Sequence, residues 1–318
     1  MGKLIDGQWV SSKEQTRVSE GGDFVRGRTK FRDSIRRDGS TAFAAERGRY
    51  HLWVAHNCPW AHRTIIVRNL KGLQDTIGMS VAHYHRDADG WWFPEGLDGF
   101  PAVDGRLALH RLYAASSEVY SGSATVPILW DREHNTIVNN ESAEIIVMLN
   151  REMDDFGDAS VDLYPAALAE EIDAVNTWVY SDINNGVYKC GFARTQDAYE
   201  RAFHPLFAAL DRVEERLSRH RYLVGDQLTL ADVQLFTTLA RFDAVYYGHF
   251  KCNLRRIVDY PNLWPYFRDL YQTPGIGETV EIDLYKRGYM GRSERLNPSG
   301  ILPLGPALDF EQPHGRGA

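Results

Sequence analysis

The heptapeptide Asn57-Cys58-Pro59-Trp60-Ala61-His62-Arg63 concentrates the reactive chemistry of this 318-residue chain. It follows an aromatic and β-branched run, Tyr50–Ala55, that reads as a strand, and it opens a helical pattern whose buried side is Ile65, Ile66, Val67 and Leu70. Proline suits the first position of a helix, so the spacing predicts Cys58 at a helix N-terminus. Unpaired amide N–H groups and the positive end of the helix dipole favour an anion there. A thiol is nucleophilic only as thiolate, which makes Cys58 a candidate nucleophile. His56, His62 and Arg63 are further sources of positive charge. A redox pair would need its second cysteine where Ala61 stands. A mixed disulfide on Cys58 must therefore be resolved by an external thiol, and the chemistry uses two equivalents of a small thiol, one at a time. Cys190 and Cys252 lack this context and read as structural thiols.

The elements that must position Cys58 follow from pattern. Ile77–Tyr84 reads as a second strand, and residues 85–124 as a loop insertion rich in Gly, Pro and aromatics. "TVPILW" and "NTIV", separated by "DREHN", read as a hairpin, and "NNESAEIIVMLN" as a helix with an acidic, hydroxyl-bearing start. After about Asp154 the spacing becomes helical throughout: Leu168, Ile172, Val175 and Val179; Tyr199 to Leu217, with a kink at Pro205; "LTLADVQLFTTLARFDAVYY", capped by Thr229 and Asp232; and "NLWPYFRDLYQ". The expected fold class is α/β plus all-α. An irregular extension (1–46) precedes a thioredoxin-like domain (47–155), a helical domain (156–280) and a polar tail (281–318).

Composition narrows the function classes. Hydrophobic content of 43% and charged content of 25% are globular values, and a net charge of −7 argues against nucleic acid. No apolar run approaches the roughly 20 residues that span a bilayer, and "MGKLIDGQWV" lacks a signal core, so no membrane role and a cytoplasmic location are expected. Three cysteines make no disulfide framework, and no Cys/His spacing suggests a metal.

The chain resembles the glutathione transferase superfamily, and within it the Xi class, the glutathionyl-hydroquinone reductases. "NCPWAHR", "GWWF", "TVPILWD", "NNESAEII", "INNGVYKCGFA", "LTLADVQLF", "RFDAVYYGHFKCN" and "NPSGILPLGP" carry the resemblance from near residue 50 to near 306. It implies glutathione as cosubstrate and an aromatic glutathionyl-hydroquinone as substrate, with Cys58 as nucleophile. Pro127 matches the family's cis-proline, and the Val126 backbone then pairs with the cysteinyl part of glutathione. Glu141 and Ser142 match the pair that holds the γ-glutamyl end, although Ser142 also reads as an ordinary N-cap. Trp91 matches a tryptophan that packs on glutathione, or else fills core with Trp92. Tyr180 and Tyr246 are placed around the hydroquinone ring, with Tyr188 and Tyr247 behind them, or else pack the helical core. Ser123 stands where relatives carry an arginine, so the cation for the glycyl carboxylate is expected from elsewhere, with Arg111 as a candidate. The resemblance also implies a homodimer through the helical domains. Two rival functions are a broader thiol transferase or dehydroascorbate reductase, like omega-class relatives, and a non-catalytic transferase-fold binding module.

Overall fold

The computed structural model describes residues 2–11, 18–97, 99–291, 293 and 295–317. They form two compact units, Met1–Gln15 with Arg28–Val161, and Thr16–Gly27 with Asp162–Ala318.

The first unit is built on a four-stranded sheet in the order Thr136–Asn139, Ile128–Asp131, Tyr50–Val54, Gly78–Val81. Tyr50–Val54 runs parallel to Gly78–Val81 (His51 opposite Gly78, Val54 opposite Val81) and antiparallel to Ile128–Asp131 (Tyr50 opposite Asp131). Every residue of this central strand is buried, which explains its unbroken run of aromatic and branched side chains. Ile128–Asp131 and Thr136–Asn139 make the expected hairpin. The second strand is shorter than its sequence pattern and stops at Val81.

Helix Pro59–Leu70 joins the two parallel strands and packs on helix Ser142–Arg151. It is enveloped rather than one-sided: His62, Arg63 and Thr64 are as buried as Ile65, Ile66 and Val67, whereas Leu70 is only partly covered. The segment read as a loop insertion contains helix His110–Ser116 and the paired strands Trp92–Phe93 and Leu107–Ala108. Seven residues without a capping side chain carry little helical signal of their own, and burial of Leu112 and Tyr113 holds them in place.

The start of the chain is not irregular throughout. Gly2–Ile5 and Gln8–Ser11 form a hairpin across Asp6-Gly7, both with positive φ (45° and 74°), as an Asp-Gly turn allows. Residues 18–27 belong to the other unit, where the Asp23 carboxylate meets Arg201 at 2.9 Å.

The second unit is helical: Ala169–Trp178, Gly186–Phe192, Gln196–Leu217, Leu230–Arg241, Leu263–Tyr271 and Ile282–Met290, with wide π-type turns at Val179–Asn184 and Phe242–Tyr246. Gln196–Leu217 runs continuously through Pro205. The Thr229–Asp232 capping box is present; the Asp232 carboxylate accepts from the Thr229 and Leu223 amides at 2.9 and 2.8 Å and from the Tyr266 hydroxyl at 2.7 Å. Ile282–Met290 lies in what the sequence presents as a polar tail.

Candidate active site

Cys58 caps the N-terminus of helix Pro59–Leu70 in extended conformation (φ −88°, ψ 118°). Its N–H donates to the Ala55 carbonyl at 3.0 Å, and its carbonyl accepts the first helical bond from His62 at 2.9 Å. The side chain takes no part in the cap. The residue is partly exposed, and its sulfur lies 3.6 Å from the Val126 carbonyl oxygen. The buried Asn57 amide donates to the Tyr84 carbonyl at 3.1 Å and anchors the turn to the segment that follows the second strand. The Arg63 guanidinium lies 4.9 Å from the centroid of the Trp60 ring.

Val126–Pro127 is a cis peptide, as the resemblance implies. Glu141, not Ser142, is the N-cap of helix Ser142–Arg151: its carboxylate accepts from the Ala143 amide at 3.4 Å and from the Thr29 hydroxyl at 3.2 Å. Ser142 is the buried first residue of that helix. A carboxylate at a helix N-terminus complements the exposed amides and the dipole. Thr29 is a neighbour that no motif singles out.

Trp91 is 9% exposed, its carbonyl accepts from the Leu109 amide at 2.9 Å, and the Arg86 guanidinium lies 4.8 Å from its ring centroid. Trp92 packs instead on His83, 4.3 Å between centroids. Arg111 donates to the Pro101 carbonyl at 3.2 Å, so its guanidinium is engaged with the inserted loop.

Asp131, Glu133 and His134 bring ligand-type atoms within 4.8 Å of one another. Arg49 already supplies the cation there, 2.8 Å from both Asp131 and Glu133. Burial pushes the Asp131 carboxyl up, but hydrogen bonds from Arg49 and His134 outweigh it and hold it below the usual range.

In the helical unit, Tyr246 is fully buried and Tyr180 is 42% exposed. The Tyr246 hydroxyl lies 3.1 Å from that of Tyr289, which lies 2.5 Å from that of Tyr188. Phe250 stacks on Tyr246 at 5.3 Å, and Phe24 and Phe192 flank Tyr188. Burial holds the Tyr246 phenol well above its usual range, so it stays a neutral hydroxyl able to donate. Tyr289 escaped the sequence reading because it lies beyond the last recognised helix; Tyr285 and Tyr289, four residues apart, were its only signal. Cys190 and Cys252 are buried free thiols.

A thioredoxin-like unit with a thiol at its first helix, joined to an all-helical unit, is the architecture of glutathione transferases. Residues 57–152 match the model of the glutathione S-transferase N-terminal domain, and residues 196–269 that of the C-terminal domain. The glutathionyl-hydroquinone reductase YqjG of Escherichia coli is 47% identical, covering 99% of this chain and 98% of the relative. The glutathionyl-hydroquinone reductase PcpF of Sphingobium chlorophenolicum is also 47% identical, over 96% of this chain and 97% of its own. A Xi-class transferase structure from Natrialba magadii superposes with TM-score 0.89 at 43% identity, covering 99% and 96% of the two chains. The glutathione-bound structure of the Escherichia coli protein does so with TM-score 0.87 at 44% identity, over 99% of each chain. The chain belongs to the Xi class of glutathione transferases, the family of the glutathionyl-hydroquinone reductases.

Proposed function

We propose that this chain is a glutathionyl-hydroquinone reductase, which uses glutathione to reduce glutathionyl-hydroquinones to hydroquinones. The observation that carries the reading is a lone thiol, Cys58, at the mouth of a buried helix and 3.6 Å from the Val126 carbonyl, in a chain 47% identical over nearly its full length to two reductases of that name.

The Cys58 thiolate attacks the sulfur of the glutathionyl group. A disulfide forms between Cys58 and glutathione while the bond from that sulfur to the ring carbon breaks. The electron pair passes to the ring carbon, which takes a proton, and the hydroquinone leaves. The thiolate of a free glutathione then attacks the glutathionyl sulfur of the mixed disulfide; oxidised glutathione departs and Cys58 is released as thiolate. Ala61 offers no competing thiol, so the second step belongs to the cosubstrate.

The assigned roles follow from chemistry. The Val126 main chain, beside Pro127, pairs with the cysteinyl residue of glutathione. The Glu141 carboxylate meets the γ-glutamyl ammonium, and Ser142 with the first amides of its helix meets the adjoining carboxylate. Trp91 packs on the tripeptide. Arg111 is assigned to the glycyl carboxylate, with Arg86, over the Trp91 ring, as second candidate. Tyr180 and Tyr246 are assigned to the hydroquinone, joined by Tyr188 and Tyr289, whose linked hydroxyls are a source for the ring proton. The proposal includes a homodimer through the helical unit and a cytoplasmic location.

The test is turnover of a small panel of glutathionyl-hydroquinones, beside a simple mixed disulfide and dehydroascorbate, by wild type and Cys58→Ala. The reading expects the glutathionyl-hydroquinones to be preferred and Cys58→Ala to be inactive but folded. Preference for the mixed disulfide or for dehydroascorbate overturns the substrate assignment, and activity in Cys58→Ala overturns the mechanism.

A further inference from the structure

Tyr113, fully buried in helix His110–Ser116, shares its hydroxyl between two segments assigned above to glutathione. It donates to the Thr125 carbonyl at 2.8 Å and accepts from the Thr125 N–H at 3.2 Å. It also accepts from Asn140 Nδ2 at 3.0 Å. A hydroxyl has one proton and two lone pairs, and these partners use all three; the Thr125 hydroxyl, 3.3 Å away, offers a further contact within the same residue. Thr125 immediately precedes Val126, and Asn140 immediately precedes Glu141.

Asn140 has no freedom to turn away. Its Oδ1 accepts from the Phe31 amide at 3.2 Å, and its own N–H donates to the Phe31 carbonyl at 3.1 Å. That fixes the side-chain amide with Nδ2 towards Tyr113. The Phe31 ring packs edge-on against Tyr113, 5.7 Å between centroids. Burial pushes the Tyr113 phenol up and keeps it a neutral donor, against the hydrogen bonds from Thr125 and Asn140.

We infer that Tyr113 is a positioning residue for glutathione: its hydroxyl fixes the spacing between the Val126 segment and the Glu141–Ser142 helix start. The inference rests on the reading of the site given above. A tripeptide that pairs with Val126 through its cysteinyl residue and with Glu141 and Ser142 through its γ-glutamyl end must satisfy both at once. If the segments drift, one contact is made at the other's expense. Affinity for glutathione falls, while the reactivity of Cys58 towards the sulfur of a bound glutathionyl group is preserved.

The test is glutathione binding by titration calorimetry, with steady-state kinetics, on wild type, Tyr113→Phe, Asn140→Asp and Tyr50→Phe. Tyr50→Phe removes another buried hydroxyl of the same unit, one that donates to the Ala44 carbonyl at 2.6 Å away from these segments. Removing the hydroxyl with its three hydrogen bonds loosens the two segments without deleting a contact to glutathione itself, and predicts a glutathione Kd and KM about three- to tenfold higher in Tyr113→Phe, with kcat at saturating glutathione within about twofold. Asn140→Asp, which keeps shape but loses the amide donor, shifts KM in the same direction and carries the test if Tyr113→Phe does not fold. Tyr50→Phe lowers thermal stability and leaves Kd unchanged. Unchanged Kd in Tyr113→Phe or Asn140→Asp, or an equal rise in Tyr50→Phe, overturns the inference alone. A wild-type protein that binds no glutathione overturns the reading of the site, and the inference with it.

Discussion

Ala61 follows Cys58 by one turn of the helix that begins at Pro59, and its side chain is completely buried. The position that would resolve a disulfide internally is thus filled by an inert methyl. Ala61→Cys restores a two-thiol turn. After reaction with oxidised glutathione, that variant should lose the glutathione adduct and form a bridge between Cys58 and the introduced thiol, without added thiol. Mass spectrometry of the oxidised variant reads this directly; a persistent adduct would contradict the account of Ala61.

The Glu141 carboxylate carries a cap contact and, on this account, a charge contact as well. Gln keeps an oxygen for the Ala143 amide but loses the charge. Glu141→Gln should therefore raise the KM for glutathione about ten- to a hundredfold, the range for a charge-assisted hydrogen bond. Its thermal stability should change little. A KM equal to wild type removes Glu141 from the site.

The tyrosine hydroxyls of the helical unit are assigned to the ring, not to glutathione. Tyr289→Phe breaks both links, to Tyr188 and to Tyr246. It should lower kcat/KM for a glutathionyl-hydroquinone by at least about tenfold, the scale of lost proton transfer or ring contact. Turnover of a simple mixed disulfide should stay as in wild type. Equal losses on both substrates would make the tyrosine cluster structural.

Burial, with Lys251 and Arg295 nearby, lowers the His249 pKa from 6.5 to about 4. The unfolded chain therefore takes up a proton in that interval which the folded chain refuses. The stabilising contribution is complete above about pH 6.5 and is lost as pH falls towards 4. Chemical denaturation across this range should show His249→Gln losing less stability than wild type; parallel curves would contradict the assignment.

Local signals made much of the site legible. Cys58 at the helix mouth follows from a strand run meeting Pro59, and the Thr229–Asp232 cap from its spacing. The cis peptide at Val126–Pro127 and the acidic helix start at Glu141 came through family likeness. What stayed hidden depends on tertiary context. Helices His110–Ser116 and Ile282–Met290 are short and form because Tyr113 and Tyr285 are buried, so Tyr289 went unread inside a polar tail. The direction of a long side chain is equally invisible, which is why Arg111 reads as a free cation but reaches the Pro101 carbonyl. The hydroxyl of Tyr113 joins residues whose pairing no spacing encodes.

The central claim is a Cys58–glutathione disulfide formed from the substrate itself. It is tested most directly by mixing wild type with an equimolar glutathionyl-hydroquinone, without free glutathione, and following intact mass and released hydroquinone together. The account predicts one hydroquinone per chain and one glutathione on Cys58, discharged as oxidised glutathione when glutathione is added, with neither event in Cys58→Ala. Hydroquinone released with no adduct on Cys58 would contradict it.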